Sequence, residues 1–237
     1  MIINDTWRNY TLRKSGVLTN SDFKKETYVN NPTKHFELTD WKNYSRPIIA
    51  LRSNDAESRC AFSYVGFLGR WPSLYAWHNL NVNRVEYFIF DDWQPPTTSK
   101  YGLRVRNGAG QVVFSSDWYP LKAIDMISMT SSQPPWGGAT TFGSAHASKK
   151  LACVNLNHRM RIYNTVGGAS QFMAEAQWFS SVNTLSVSWM YLWEEEILQD
   201  FPGAPGTPPA PMPSGSYPLT GRSLLVDVTN YPVPFSY

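Results

Sequence analysis

Residues 101–117 read Tyr-Gly-Leu-Arg-Val-Arg-Asn-Gly-Ala-Gly-Gln-Val-Val-Phe-Ser-Ser-Asp, and this stretch decides the fold class. Two arms that alternate apolar and polar residues flank the turn sequence Asn-Gly-Ala-Gly at positions 107–110. Alternation with a period of two is typical of β-strands, and glycine supplies the backbone conformations that tight loops need. The stretch therefore predicts a β-hairpin.

The register of this hairpin can be argued from its apolar residues. A two-residue Asn-Gly turn would set Val105 against Gly110, whereas a four-residue loop would set Val105 against Val112 and Leu103 against Phe114. Opposed residues of an antiparallel pair lie on the same face, so the longer loop collects four apolar side chains on one face. We predict the four-residue loop, because a buried face determines the register.

The rest of the chain repeats this pattern of short strands between turn residues. Seven further runs, rich in aromatic and β-branched residues, lie at 47–52, 61–68, 85–91, 151–154, 159–163, 184–193 and 222–229. Residues 128–150 resemble a loop, and residues 172–179 fit either a strand or a helical turn. Short strands without intervening helices predict an all-β protein, an antiparallel β-sandwich or jelly-roll-like fold with a Pro-rich C-terminal extension.

The domain organisation follows from the prolines. Residues 202–218 hold seven of the 17 prolines and predict an extended linker. Residues 1–201 before it form the β-sandwich domain, with a division into two subdomains near 95–100 left open. Residues 219–237 form a C-terminal strand, which either adds to a sheet of a neighbouring subunit or returns to its own domain. As an assembly arm, it would use Leu224, Val226, Val228, Tyr231 and Phe235.

Composition excludes several classes of protein. The 237 residues include 21 Lys and Arg against 18 Asp and Glu, without a basic stripe, so we expect no nucleic-acid partner. Residues 1–12 lack the apolar segment of a secretion signal, and without a run of about 18 apolar residues we expect no membrane span. Cys60 and Cys153 are expected to be buried thiols in a protein that folds in a reducing cytoplasm.

No motif indicates catalysis. The four histidines, His35, His78, His146 and His158, lack the spacing of metal ligands, and nucleotide-binding and nucleophile-elbow motifs are absent from the sequence. Asp91 and Asp92 are adjacent on a predicted strand and would point to opposite faces. We therefore expect no enzyme, no catalytic residue, no cofactor and no metal.

Two loop-like stretches contain aromatic residues that are candidates for an exposed binding site. Residues 70–78 contain Trp71, Tyr75 and Trp77, and residues 134–138 contain Trp136. Tryptophan and tyrosine in loops form sugar-stacking platforms and protein-binding hot spots, but they also fill the corners of β-cores. These four residues are candidate contacts with a partner or receptor, and the core alternative remains open.

Residues 101–117 resemble a motif of small tail-tip and tail-fibre-associated proteins of tailed bacteriophages. In those families a Tyr-Gly-Leu-x-Val-x-Asn strand turns through glycine and returns as Gln-x-Val-Phe-Asp-Ser. Here Ser115-Ser116-Asp117 replaces the Asp-Ser, and a Pro-rich loop at 91–101 precedes the hairpin, as it does in those proteins.

The resemblance implies a structural virion protein of the tail tip or tail fibre, assembled in the host cytoplasm. Its partners would be other phage tail proteins, its own copies in a trimer or higher symmetric homo-oligomer, and a host cell-surface receptor or glycan. An alternative is a carbohydrate-binding β-sandwich that uses Trp71, Trp77 and Trp136. A polysaccharide-degrading enzyme is the least supported, because the sequence offers no convincing carboxylate pair.

Overall fold

The computed structural model describes residues 9–25, 33–40, 43–56, 58–63, 73–77, 81–96, 100–130, 138–157, 159–164, 169–196, 216–217 and 220–236. These residues form eighteen strands and one short 3-10 helix, Asn20–Asp22. All the strand pairings are antiparallel, and the prediction of an all-β protein is confirmed.

In chain order the strands are β1 (Thr11–Leu18), β2 (Lys24–Lys25), β3 (Thr33–Glu37), β4 (Ile48–Ser53), β5 (Ala61–Ser63), β6 (Ser73–Trp77), β7 (Val85–Asp91), β8 (Arg104–Arg106), β9 (Val112–Ser115), β10 (Ala123–Met129), β11 (Ala139–Gly143), β12 (Leu151–Asn155), β13 (Met160–Asn164), β14 (Ala169–Ser181), β15 (Thr184–Glu196), β16 (Ser216–Tyr217), β17 (Gly221–Asp227) and β18 (Phe235–Ser236). A seven-stranded sheet has the order β10-β17-β12-β4-β7-β1-β18. The other sheets are β11-β15-β14-β13-β16, β2-β3-β6-β5 and the pair β8-β9.

The seven-stranded sheet is the centre of the molecule. Its strand β7 has every residue buried, because both faces of the sheet are covered. Successive side chains of a strand point to opposite faces. Tyr87 and Ile89 accordingly belong to one apolar cluster, and Phe88 and Phe90 to another.

The first face of this sheet packs against two smaller sheets and makes a β-sandwich. Val85 and Ile89 share a cluster with Leu74 of the four-stranded sheet. Further along the same face, Cys153 packs in a cluster with Leu185 of the five-stranded sheet. The two smaller sheets therefore lie side by side over the large one.

The second face is covered by irregular chain. Tyr231 lies over it, with its ring centre 5.9 Å from that of Phe90 and 5.6 Å from that of Tyr119. The Tyr231 hydroxyl also donates a hydrogen bond to the Pro120 carbonyl oxygen. Among the described residues, aromatic contacts and a part-buried hydrogen bond thus cover this face.

The C-terminal segment belongs to the seven-stranded sheet of its own chain. β17 lies between β10 and β12, and β18 pairs with β1. Strands from both sides of 95–100 share this sheet. Of the Pro-rich stretch 202–218, only 216–217 is described, as the edge strand β16; the other residues lie outside the described part.

One expectation about local structure was wrong, and one open alternative is resolved. Within the predicted loop 128–150, residues 139–143 form β11, paired with the start of β15. Residues 172–179 belong to the long strand β14 and make no helical turn. In both cases pairing with β15 determines the backbone, since β15 borders both strands.

Candidate functional site

The loop of the 101–117 hairpin is held by its own hydrogen bonds. The Gly110 N–H donates to the Asn107 carbonyl at 2.9 Å, and the Asn107 N–H donates to the Gln111 carbonyl at 2.9 Å. The side-chain Oδ1 of Asn107 accepts from the N–H groups of Ala109 and Gln111. Gly110 has a φ of +79°, the left-handed conformation that follows a type I turn in a three-residue hairpin loop.

The register differs from the predicted one. The structure opposes Val105 to Phe114 and Arg106 to Val112, so the predicted Val105–Val112 pair is wrong. The loop has three residues instead of four, and Val113 is an extra residue that makes a β-bulge. In β9, Val113 and Ser115 are buried, at 8% and 2% exposure, while Val112 and Phe114 are half-buried.

The first arm of the hairpin is open to solvent, contrary to the predicted buried face. Tyr101 is 88% exposed and Leu103 is 63% exposed. Leu103 does not oppose Phe114; its backbone N–H donates to Ser116 Oγ at 3.1 Å, and its carbonyl accepts from the Ser116 N–H at 2.9 Å. The periodicity correctly identified a hairpin but not the side that meets solvent.

Arginines flank these exposed apolar groups. Arg104 is half-buried and Arg106 is exposed, with its Nη1 donating to the Gly110 carbonyl at 2.7 Å. We call Tyr101, Leu103, Arg104 and Arg106 the hairpin surface. Tyrosine and arginine are enriched among residues that dominate protein–protein binding energy, so this surface is suited to binding.

The base of the hairpin is anchored to the sandwich. Trp118, directly after it, is 6% exposed. Leu12 of β1 donates its N–H to the Tyr119 carbonyl, and the Leu121 N–H donates to the Tyr10 carbonyl, both at 2.7 Å. A rigid support of this kind reduces the entropy lost when a projecting element binds a partner.

The structure describes two of the four aromatic residues that the sequence analysis gives as candidate contacts. Tyr75 and Trp77 lie in β6, between β3 and β5, in a strand and not in a loop. Trp71 and Trp136 lie outside the described residues. The backbone thus places two of the four candidates together on one strand.

The residues of the proposed assembly arm lie within the sheet or against it. Val226 and Val228 have no exposed surface, and Tyr231 is 7% exposed. Leu224 and Phe235 are half-buried beside the same cluster. All five contribute to the second face of the seven-stranded sheet in their own chain.

A buried polar group between the sheets was missed by the sequence reasoning. Arg159 Nε lies 2.6 Å from Glu175 Oε2, and neither side chain is exposed. Burial raises the pKa of Glu175, because desolvation outweighs the attraction of Arg159 and the hydrogen bonds from Arg159 and Gln177. The signal for this pair is a charged residue among apolar residues, as in the sequence Met-Ala-Glu-Ala at 173–176.

A cavity of about 10 Å³ adjoins this pair. Its lining residues are Ile49, Leu51, Cys60, Cys153, Asn155, Glu175 and Gln177. That volume matches one water molecule and excludes an organic ligand. A buried carboxyl with a raised pKa can serve catalysis. Here it lacks room for a substrate, so we assign it a structural role.

The described residues contain no group of three or more His, Cys, Asp or Glu side chains that could hold a metal ion. No helix in that part of the chain has the length and apolar character to cross a bilayer.

Comparison with protein-family models, with curated proteins and with solved structures finds no match for this chain. Fold and site together define an all-β sandwich that presents an anchored, exposed hairpin.

Proposed function

We propose that this chain is a structural virion protein of a bacteriophage tail tip or tail fibre, which acts by binding other tail proteins. One observation carries the proposal. The stretch that resembles the tail-protein motif is also the stretch that presents Tyr101 and Leu103 to solvent. Side chains that serve the core are buried, so these two exposed side chains can contact a partner.

The chemistry of the hairpin surface specifies the partner. Burying an apolar side chain of this size contributes about 1.5–3 kcal/mol, so Tyr101 and Leu103 can anchor a contact. Arg104 and Arg106 favour carboxylates around that contact. The partner is therefore a tail protein with an apolar patch bordered by acidic residues.

In this role the chain forms a symmetric homo-oligomer, trimeric or larger, around the tail axis and assembles in the host cytoplasm. Attachment to a host receptor or glycan would then use other elements, for which Trp71, Tyr75, Trp77 and Trp136 are the candidates. In this division the hairpin surface serves assembly.

The test is made with particles of a phage whose genome encodes the chain. Mass spectrometry of gradient-purified virions should detect the chain at a constant ratio to other tail proteins. The double variant Tyr101→Ser/Leu103→Ser should fold with an unchanged thermal midpoint but be lost from particles.

Val182→Ser is the matched control, because Val182 is 54% exposed in the β14–β15 turn. It should enter particles normally. Absence of the wild-type chain from virions would overturn the proposed function. Normal incorporation of the double variant would overturn the role of the hairpin surface in it.

A further inference from the structure

The edges of the sheets are protected unequally. An edge strand presents unpaired N–H and C=O groups, and proteins usually limit its pairing by short length, lysine or proline. In the described residues, the edge strands β2, β16 and β18 have two residues each and β5 has three. β2 consists of Lys24 and Lys25, and Pro234 directly precedes β18. These edges are protected.

Strands β10 and β11 are longer, but β10 carries Asp125 and a β-bulge between Ala123 and Asp125, so β11 is the exception. They form the other edges of the seven-stranded and five-stranded sheets and have seven and five residues. β11 reads Ala-Thr-Thr-Phe-Gly, without charge or proline, and all its residues are exposed or half-buried. Ile124 of β10 and Phe142 of β11 pack against the same cluster, so the two edges lie together on one side of the sandwich.

Among the described residues, the hydrogen-bond pattern shows which backbone groups of β11 face away from β15. The Ser144 N–H donates to the Asn183 carbonyl at 2.9 Å, directly before the first pair of β11 and β15, Gly143 with Thr184. Hydrogen-bonded pairs alternate along an antiparallel ladder. Thr140 and Phe142 therefore direct their backbone groups to β15, and the three residues between and beside them direct theirs away from the sheet.

We propose that β11 pairs antiparallel with β11 of a second copy of this chain, about a twofold axis at Thr141. Thr141 then opposes Thr141 of the second copy, Ala139 opposes Gly143, and Thr140 opposes Phe142. Every outward N–H and C=O of the strand finds a partner. The five-stranded sheets of two copies become one continuous sheet.

The side chains fit this register. Opposed residues share a face, so the half-buried Phe142 extends over Thr140 of the second copy on the core side. The outer face pairs threonine with threonine, a favourable cross-strand combination.

The absence of charged residues in β11 favours a second copy of this chain as the pairing partner. Like charges directly opposite one another destabilise a strand pair. β11 contains no charge, so self-pairing opposes none, whereas Lys24 and Lys25 of β2 would repel their own copies. A twofold contact uses the same patch on both subunits and closes at a dimer. A hexamer with threefold symmetry would need one further interface. The β11–β11 contact does not depend on the role that we propose for the chain in the virion.

The first experiment is sedimentation velocity on the full chain over roughly 1 to 100 μM, the range for a small interface. The wild type should pass from monomer to dimer. Thr141→Pro removes an outward N–H while keeping the bonds to β15, so it should raise the dissociation constant at least about tenfold. Thr141→Val keeps the N–H and should dimerise like the wild type. Circular dichroism checks that each variant is folded.

The second experiment is cross-linking through Thr141→Cys. Across the axis the Cα atoms would lie about 5.5 Å apart, a distance that suits a disulfide. Mild oxidation should give a covalent dimer much faster than it does for Val182→Cys, an equally accessible control. Cys60 and Cys153 are buried and should not compete.

A wild type that remains monomeric throughout the series would overturn the proposal. So would a folded Thr141→Pro variant with an unchanged dissociation constant. If Thr141→Pro does not fold, the cross-linking rate decides, and equal rates for the two cysteine variants would count against the pairing. Incorporation into virions is scored separately, so failure of either proposal is recognised independently.

Discussion

The guanidinium of Arg159 donates from Nε to Oε2 of Glu175 across 2.6 Å, and both side chains are fully enclosed. The second carboxylate oxygen accepts from Gln177 Nε2 at 3.0 Å, and the same amide lies 2.9 Å from Ser223 Oγ. The network joins β14 to β17. It therefore ties the two layers of the sandwich together by polar contacts inside an otherwise apolar interface.

Removing one partner of this pair should be costly. Arg159→Met leaves the Glu175 carboxylate buried without its cation, and we expect a loss of about 3–5 kcal/mol in the free energy of unfolding. Urea titration at pH 7 measures it. Arg159→Met/Glu175→Leu should recover most of the loss, since it removes both charges. A single variant within about 0.5 kcal/mol of wild type, like the exposed control Arg106→Ala, would contradict this account.

The close approach of Gly221 to the same arginine predicts a steric effect. A Cβ at Gly221 would lie 2.6 Å from Arg159 Nε and 2.7 Å from Met129 Cε. Gly221→Ala should destabilise the protein by about 1–3 kcal/mol, because the ion pair holds the guanidinium in place. Gly108→Ala, with nothing within 4 Å of its Cβ, is the matched control. Equal thermal midpoints for the two variants would show that Arg159 can move.

The environment of Glu86 predicts a contribution to the free energy of unfolding that is lost in acid. Burial by itself raises its pKa, but hydrogen bonds with Lys150 and Arg84 outweigh burial and lower the pKa below its ordinary value. The contribution is therefore present above the unfolded pKa of about 4.3 and is lost as the pH falls through the lower folded value.

Glu86→Gln should accordingly be less stable than wild type at pH 7, by about 1–2 kcal/mol, and this deficit should be smaller at pH 3. Urea midpoints at the two pH values measure the difference. Asp125→Asn, at an exposed position of β10, is the control and should show little change. A Glu86→Gln deficit of the same size at both pH values would mean that packing, not charge, is lost.

The two thiols should be inert in the folded protein. Burial raises the pKa of Cys60 to about 12 and also raises the pKa of Cys153 well above its ordinary value. A thiolate-specific reagent at pH 8 should react slowly with the native chain and with two equivalents in denaturant. Rapid reaction of one equivalent without denaturant would show that the interface between the sheets opens.

The sequence predicted the central strands well. The run at 85–91 is confirmed as β7, and the runs at 47–52 and 151–154 are confirmed as β4 and β12 within one residue at their ends. These strands are covered on both faces, so their sequences are continuous apolar runs between turn residues. In these three strands, the burial seen in the structure agrees with the local sequence pattern.

The peripheral strands were harder to predict. In β14 the sequence Met-Ala-Glu-Ala-Gln at 173–177 consists of helix formers, and pairing with β13 and β15 overrides that preference. In β11 an Ala-Thr-Thr-Phe-Gly sequence lacks a buried face and resembles a loop. Such strands form because a neighbouring strand is available to pair with them. The amino-acid composition of the strand itself does not reveal that neighbour.

The hairpin surface was only half predictable. Asn107 and Gly110 indicate a turn from sequence, but the length of the loop depends on which carbonyl Gly110 bonds to. The bulge at Val113 shifts the register by one residue, and the sequence contains no local pattern that predicts it. Exposure of Leu103 follows from the tertiary position of the hairpin, outside the seven-stranded sheet.

The position of β17 has a consequence for biosynthesis. β10 is synthesised about a hundred residues before β17, and β12 about seventy residues before it, so both strands are made before the strand that separates them. Until residue 227 is translated, a gap stays open in the central sheet. The nascent chain should therefore remain sensitive to protease and bind chaperones until late in synthesis, and then close the sheet in one cooperative step.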